Sequence, residues 1–402
     1  MTKKSAEAGP APPAGAPADE RIALLALTRV DGVGSLRAAA LVDAFGSARN
    51  AVEAGLRGAW PPLPRWTAPR SRAAGLAVDL AAAERELQRG ARVGARLVTL
   101  GDADYPASWR PAAGWPLALW VRGAWPSEVV AEAPIAVAIV GPRRASPDAQ
   151  RFAAELAAAA CHAGAWVVSG LAYGVDAAAH QGALSAVADG APASTVAVLA
   201  GGVDRPQPAA HRDLARALLA GGGGIVAAAP IGALPAAGAF PVRNRWIAGL
   251  SSVVAVVEAG PRSGALHTAV AALELGREVR TTPARPWDAH AAGSLALLRD
   301  GAAPLIEADD GWRGLPAGTL VTTRQGGAAT PPVPPPWDRV MGDAPIGLDL
   351  AIAATGWSVG AVVAALEVGV LDGWAERLGD GRYRAAGRPA AAHKCVGVRR
   401  HP

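Results

Sequence analysis

Six short apolar runs recur through the middle of the chain: AVAIVG at 136–141, WVVSG at 166–170, TVAVLAGG at 195–202, GIVAAAP at 224–230, VVAVVEA at 253–259 and REVRTTP at 277–283. They are rich in β-branched residues and mostly apolar on both faces, a pattern a strand tolerates where helices cover both sides of its sheet. The runs follow one another at roughly 25–30 residues, the length of a strand–helix–strand unit. The segments between them read as helices: PDAQRFAAELAAAACHAG, VDAAAHQGALSAVA, AAHRDLARALLAGG, RNRWIAGL and ALHTAVAALELG. This alternation predicts an α/β chain built on an extended, Rossmann-like, doubly wound parallel sheet within residues 76–310.

The flanks read differently. Residues 1–19 form a Pro/Ala-rich leader expected to be disordered, with no apolar block to make it a signal peptide. Residues 20–75 read as a small helical domain of helix-hairpin-helix or SAM-like type. Its Gly32-Val33-Gly34 turn either offers backbone N–H groups to a phosphate or simply joins two packed helices. Residues 92–125 read as a segment leading into the sheet. A Pro-rich linker at 311–343 precedes a winged-helix-like pattern at 344–386, with a hairpin around Gly379-Asp380-Gly381, and a flexible tail at 387–402.

Composition narrows the chemistry. No stretch has the about 18 consecutive apolar residues of a membrane span, and Cys161 and Cys395 make neither a disulfide framework nor a zinc site. The expectation is a cytoplasmic protein. Lysine occurs only at 3, 4 and 394, so no Walker or Schiff-base lysine lies in the folded region. The net charge is +5, and the positive charge is almost wholly arginine, whose planar fork suits phosphate.

In a doubly wound sheet, ligands bind beyond the carboxyl ends of the strands. Those ends carry Gly141-Pro142-Arg143-Arg144, Ser169-Gly170, Gly201-Gly202 and Arg262-Ser263-Gly264, with Arg243-Asn244-Arg245 at a helix start. Glycine, helix N-termini and arginine together describe a phosphate-binding rim. The first turn, GPRRAS, lacks the G-x-G-x-x-G of a dinucleotide site, and repeated arginines fit a polymer backbone better than one cofactor. Asp176 and His180 share a helix face; with no third ligand spaced for metal, they read as a structural helix-entry pair. Glu258 is either a base or, preferably, a structural carboxylate paired with Arg243 or Arg245. Ser169 and Ser263 have no His–Asp arrangement beside them, so no catalytic constellation emerges and no cofactor is implied.

The ordered series AIVGPRRAS, VVSGLAYGVDAAAHQGAL, TVAVLAGGVD, FPVRNRWIAGLS, VVEAGPRSGALHTAVAALELGREV and AAGSLALLRDGA resembles the DNA-processing protein A (DprA/Smf) family over about residues 20–310. That resemblance implies a non-enzymatic protein that binds and protects single-stranded DNA, dimerises through the Rossmann domain and loads the RecA recombinase in natural transformation. It places DNA contacts at Arg143, Ser169, Gly170, Arg243, Asn244, Arg245, Ser263 and Gly264. Tyr173 stands where the family has a basic residue and would instead stack on a base. Further departures are Pro142 for Ser, Gln207-Pro208 for Tyr-Pro, Ala227-Ala228 for Ser-Glu and Leu295 for Asn.

Two rivals follow from the same residues. One is a nucleotide-processing, phosphoribohydrolase-like enzyme on a related sheet, which would need a P-G-G-x-G-T loop; AGGVDRP is the nearest approach. The other is a degenerate scaffold with weakened DNA binding. In the tail, SVGAVVAALEVGV carries Glu367 and no basic residue, so 344–386 is expected to pack on protein rather than enter a DNA groove.

Overall fold

The protein is seen in a computed structural model that describes residues 18–61, 78–106, 109, 115–125, 135–236, 238–314, 337–340, 345–355, 362, 366, 375–378 and 382–385. It divides into two compact units, 1–322 and 323–402. Of the expected leader at 1–19, residues 1–17 lie outside the described residues, as do the tail at 387–402 and most of the Pro-rich linker, while residues 18–19 are not a leader but the start of a helix.

The first unit begins with three helices, α1 (Ala18–Leu27), α2 (Ser35–Phe45) and α3 (Ala48–Leu56), and a fourth, α4 (Leu80–Arg92). Their ends follow local rules. Gly46 closes α2 at a φ of 75°, Ser47 caps α3 by accepting from Asn50 N at 3.1 Å, and Asp79 caps α4 from Ala82 N at 2.8 Å. These helices share one apolar core with the sheet, in which Leu25, Leu41 and Val52 are continuous with Trp120, Leu218 and Ile225. A carboxylate is buried in that core. Glu86 accepts from Arg29 Nε and Nη2 and from Trp120 Nε1, each at 2.8 Å. Burial raises its pKa, but the Arg29 pairing and the Trp120 bond outweigh this and hold it below the usual carboxylate value.

Nine strands form the sheet, in the order β1-β2-β6-β5-β4-β3-β7-β8-β9. The expected strands are β3 (Ala136–Val140), β4 (Trp166–Ser169), β5 (Thr195–Val198), β6 (Gly224–Ala227), β7 (Val253–Val256) and β8 (Glu278–Thr281), all parallel to their neighbours within this set. A two-residue strand, β9 (Ala303–Pro304), ends the parallel run. The crossover helices are α5 (Pro147–His162), α6 (Val175–Ala188), α7 (Arg212–Ala220), α8 (Ala239–Gly249), α9 (Gly264–Glu274) and α10 (Ala292–Arg299). From β3 the chain winds outward through β4, β5 and β6, then returns to place β7 on the other side of β3. The strand order therefore reverses between β3 and β7.

The region 92–125 departs from expectation. It is not merely a connection, because it contributes β1 (Ala95–Thr99) and β2 (Ala118–Gly123), an antiparallel pair that extends the sheet beyond β6. The outer edge of β1 is occupied by side chains. Asp102 Oδ2 accepts from Thr99 N at 2.7 Å, and Arg21 donates to the Leu97 carbonyl.

In the second unit a helix at Leu348–Thr355 accompanies a hairpin of Ala375–Arg377 with Tyr383–Ala385, and Ile346 exchanges backbone bonds with Tyr383 at 2.8 and 2.9 Å. Ile346, Ala351, Val362, Leu366, Ala375 and Tyr383 make its core. The stretch expected to be a recognition helix lies outside the described residues except at Val362 and Leu366, both buried, and so does the Gly379–Gly381 turn.

Candidate functional site

An open cleft of about 790 Å³ lies where the strand order reverses, beyond the carboxyl ends of β3 and β7. One wall is the turn after β3, with Gly141, Pro142, Arg143 and Arg144. A second is the turn after β7, with Glu258, Gly260, Pro261, Arg262 and Ser263, leading into the N-terminus of α9 at Gly264 and Ala265. The floor comes from Phe240, Arg243, Asn244 and Ile247 of α8 and from Asp176 of α6, and Ala289 and His290 close the far side. Of the charged groups here, four are guanidinium and two are carboxylate.

Each charge is held differently. Arg143 lies over the Phe240 ring, 5.3 Å from its centroid, and remains exposed. Arg144 and Arg262 are exposed and make no ion pair among the described residues. Arg243 is buried, only 6% exposed, and its Nη1 donates to the Val198 carbonyl at 3.1 Å. Burial lowers its pKa; attraction to Asp176 opposes that and the neighbouring Arg143 adds to it. Burial likewise pushes the Asp176 carboxyl up, against Arg243 and bonds from Ala172 N at 3.3 Å and Gly170 N at 3.2 Å. Asp176 and Arg243 are thus both buried beneath the cleft and attract each other, with no direct ion-pair contact between them.

Glycine makes that arrangement possible. A Cβ on Gly170 would lie 1.4 Å from Arg243 Nη1, so the guanidinium occupies the space a side chain would fill. Gly174, at a φ of 75°, starts α6, and a Cβ there would stand 2.3 Å from the Pro142 carbonyl. The same carbonyl accepts from Val175 N at 3.4 Å, tying the first arginine turn to the next helix.

The expected contact residues divide into two groups. Arg143, Arg243, Asn244, Ser263 and Gly264 all line the cleft. Ser263 uses its hydroxyl to cap α9, accepting from Ala265 N at 3.3 Å, and Asn244 Nδ2 donates to the Gly264 carbonyl at 3.2 Å. Ser169, Gly170, Tyr173 and Arg245 are turned to other tasks. Ser169 is fully buried and donates to the Ile139 carbonyl at 2.7 Å, and the Gly170 N–H is taken by Asp176. Arg245 pairs with Glu274 at 2.7 Å and lies over Trp115, itself stacked on Trp109 at 4.8 Å. Tyr173 is exposed and meets the His211 ring edge-on at 4.8 Å.

The structural polar residues also differ in part from expectation. Glu258 pairs with neither Arg243 nor Arg245; it sits at a φ of 56° and accepts from the Ser146 hydroxyl and from Ser146 N at 3.1 Å. It thereby fixes the start of α5 beside the first arginine turn. Asp176 and His180 do not bond to each other. His180 Nδ1 meets Thr195 Oγ1 at 2.8 Å, and burial pushes its pKa down to about 3. No group of three or more potential metal ligands occurs among the described residues. Among the lining residues absent from the expected contact set are Arg144, Arg262 and His290, although Arg144 and Arg262 stand in the very turns that sequence placed at the strand ends.

Residues 96–316 match the family described as DNA recombination-mediator protein A. The putative DNA processing protein DprA of Mycobacterium tuberculosis is 40% identical over 246 residues, covering 57% of this chain and 61% of that one. Protein Smf of Escherichia coli is 36% identical over 214 residues, covering 53% and 55%. The chain thus matches less than two thirds of the length of either relative. The X-ray structure of DprA from Streptococcus pneumoniae superposes with a TM-score of 0.57 at 26% identity, covering 73% of this chain and 96% of that one. Because the matched residues run from β1 past β9 and take in both walls of the cleft, the chain belongs to the DNA recombination-mediator protein A family.

Proposed function

We propose that the cleft between β3 and β7 holds single-stranded DNA by its phosphates, without cutting it. One observation carries this reading: Arg143, Arg144, Arg243 and Arg262, distant in sequence and delivered by three elements, converge on one open cleft at the switch point of the sheet. Exposed guanidinium groups at the rim neutralise phosphates; the buried Arg243 adds positive potential from below. A strand held this way stays intact for transfer to a RecA-type recombinase, the step that the family description and the resemblance to DprA/Smf proteins suggest. A second copy of the chain as dimer partner, a winged-helix fold for the second unit and a cytoplasmic setting belong to the same reading. Among the described residues, no helix is long and apolar enough to cross a membrane.

The test is fluorescence anisotropy with labelled single-stranded and duplex oligonucleotides, comparing wild type with Arg144→Glu/Arg262→Glu. These two arginines are the suitable targets because they are exposed, whereas Arg243 is locked in the interior and its loss would unsettle the fold. Wild type binds single strands in preference to duplex, with log K falling against log salt at about −0.7 per phosphate neutralised. The reversed variant keeps its fold, checked by circular dichroism, and loses the interaction. Salt-insensitive binding, or binding retained in the variant, overturns the proposal.

A further inference from the structure

Trp287 is 80% exposed, while the other described tryptophans are buried or half-buried. It does not hang on a loose loop. Asp288 N donates to the Arg285 carbonyl at 2.9 Å, closing a β-turn with Pro286 and Trp287 at its centre. The Asp288 carboxylate accepts from His290 N at 2.9 Å and its carbonyl from Ala291 N at 3.2 Å, joining the turn to the start of α10. Downstream, Ser294 N donates to the Ala259 carbonyl at 3.0 Å, and Ser294 Oγ accepts from Ala259 N at 2.9 Å. The His290 carbonyl lies 3.5 Å from where a Cβ on Gly260 would stand. The turn is therefore braced against the β7 wall of the cleft, and its next residues, Ala289 and His290, line that cleft.

We propose that Trp287 is a stacking platform for a nucleobase of the strand held in the cleft, with the exposed Arg285 beside it serving the attached phosphate. This rests on the reading of the cleft as a strand-binding site and adds a base-contacting position to a rim that otherwise meets only backbone. An aromatic ring open to solvent, fixed by a proline turn and flanked by an arginine, is the combination that binds single strands with little sequence preference. An exposed tryptophan can also anchor a protein partner, and the experiment separates the two.

Anisotropy with an oligothymidine strand, and with a strand of equal length carrying abasic sites, is measured for wild type, Trp287→Ala and Trp287→Phe. Trp287→Ala weakens oligothymidine binding by roughly 5- to 150-fold, Trp287→Phe restores most of it, and the salt slope is unchanged because no phosphate contact is lost. Wild type binds the abasic strand more weakly than oligothymidine, and Trp287→Ala narrows that difference. Affinity in Trp287→Ala equal to wild type overturns the proposal while leaving the cleft reading intact, and so does an effect confined to self-association in sedimentation. A shallower salt slope in that variant shows a displaced turn and also overturns it. Failure of wild type itself to bind either strand overturns the cleft reading, and this one with it.

Discussion

Arg243 and Gly170 show how much of the site rests on single atoms. The guanidinium fills the space above Gly170 and shares its burial with Asp176. Gly170→Ala drives a methyl into that group, and overpacking of this kind costs about 1–3 kcal/mol or more, read as a lower urea midpoint. Arg243→Gln strips the Val198 carbonyl of its buried guanidinium donor and removes the cation that steadies Asp176, and lowers stability by about 1–3 kcal/mol. Adding Asp176→Asn recovers part of that loss, so the two changes are strongly non-additive in an unfolding double-mutant cycle. The residue scale is also where sequence reading of the site stopped short. It located the strand ends that carry arginine, but not which way each side chain turns. Arg243 and Arg245 are two apart on a helix, about 200° around its axis, so both could not enter one cleft. Spacing alone would have separated them.

At the scale of elements, α6 carries a pH response that has nothing to do with the rim. His180 is wholly buried and neutral, with its pKa lowered from 6.5 to about 3, whereas in the unfolded chain it protonates at its ordinary value. Between these two values the unfolded state binds the extra proton, so stability falls as pH drops from 6.5 toward about 3 and is fully present above 6.5. Urea unfolding across that range shows a gentler dependence on pH in His180→Gln than in wild type, whatever their absolute stabilities. The same helix and the strands around it were legible in the sequence, because two-faced apolar runs such as VVAVVEA leave few alternatives to a covered parallel sheet. β1 and β2 were not. Arg96 and Arg122 interrupt their apolar pattern, and the turns and Trp-rich stretch between them resemble a connection until β6 supplies the partner.

For the molecule as a whole, the two compact units make a division of labour testable. The cleft belongs entirely to residues 1–322, so a chain ending at 322 retains the oligonucleotide affinity and salt slope of the full protein. A large fall in affinity on removing residues 323–402 would place strand contacts in the second unit instead. The margins of the sheet carry a consequence of their own. β9 is two residues long, and on the free side of β1 the Leu97 carbonyl and Thr99 N are met by Arg21 and Asp102. Neither border offers a ladder on which a further strand could be laid. Among the described residues, two copies of this large sheet therefore have no long open border along which to join into one continuous ribbon.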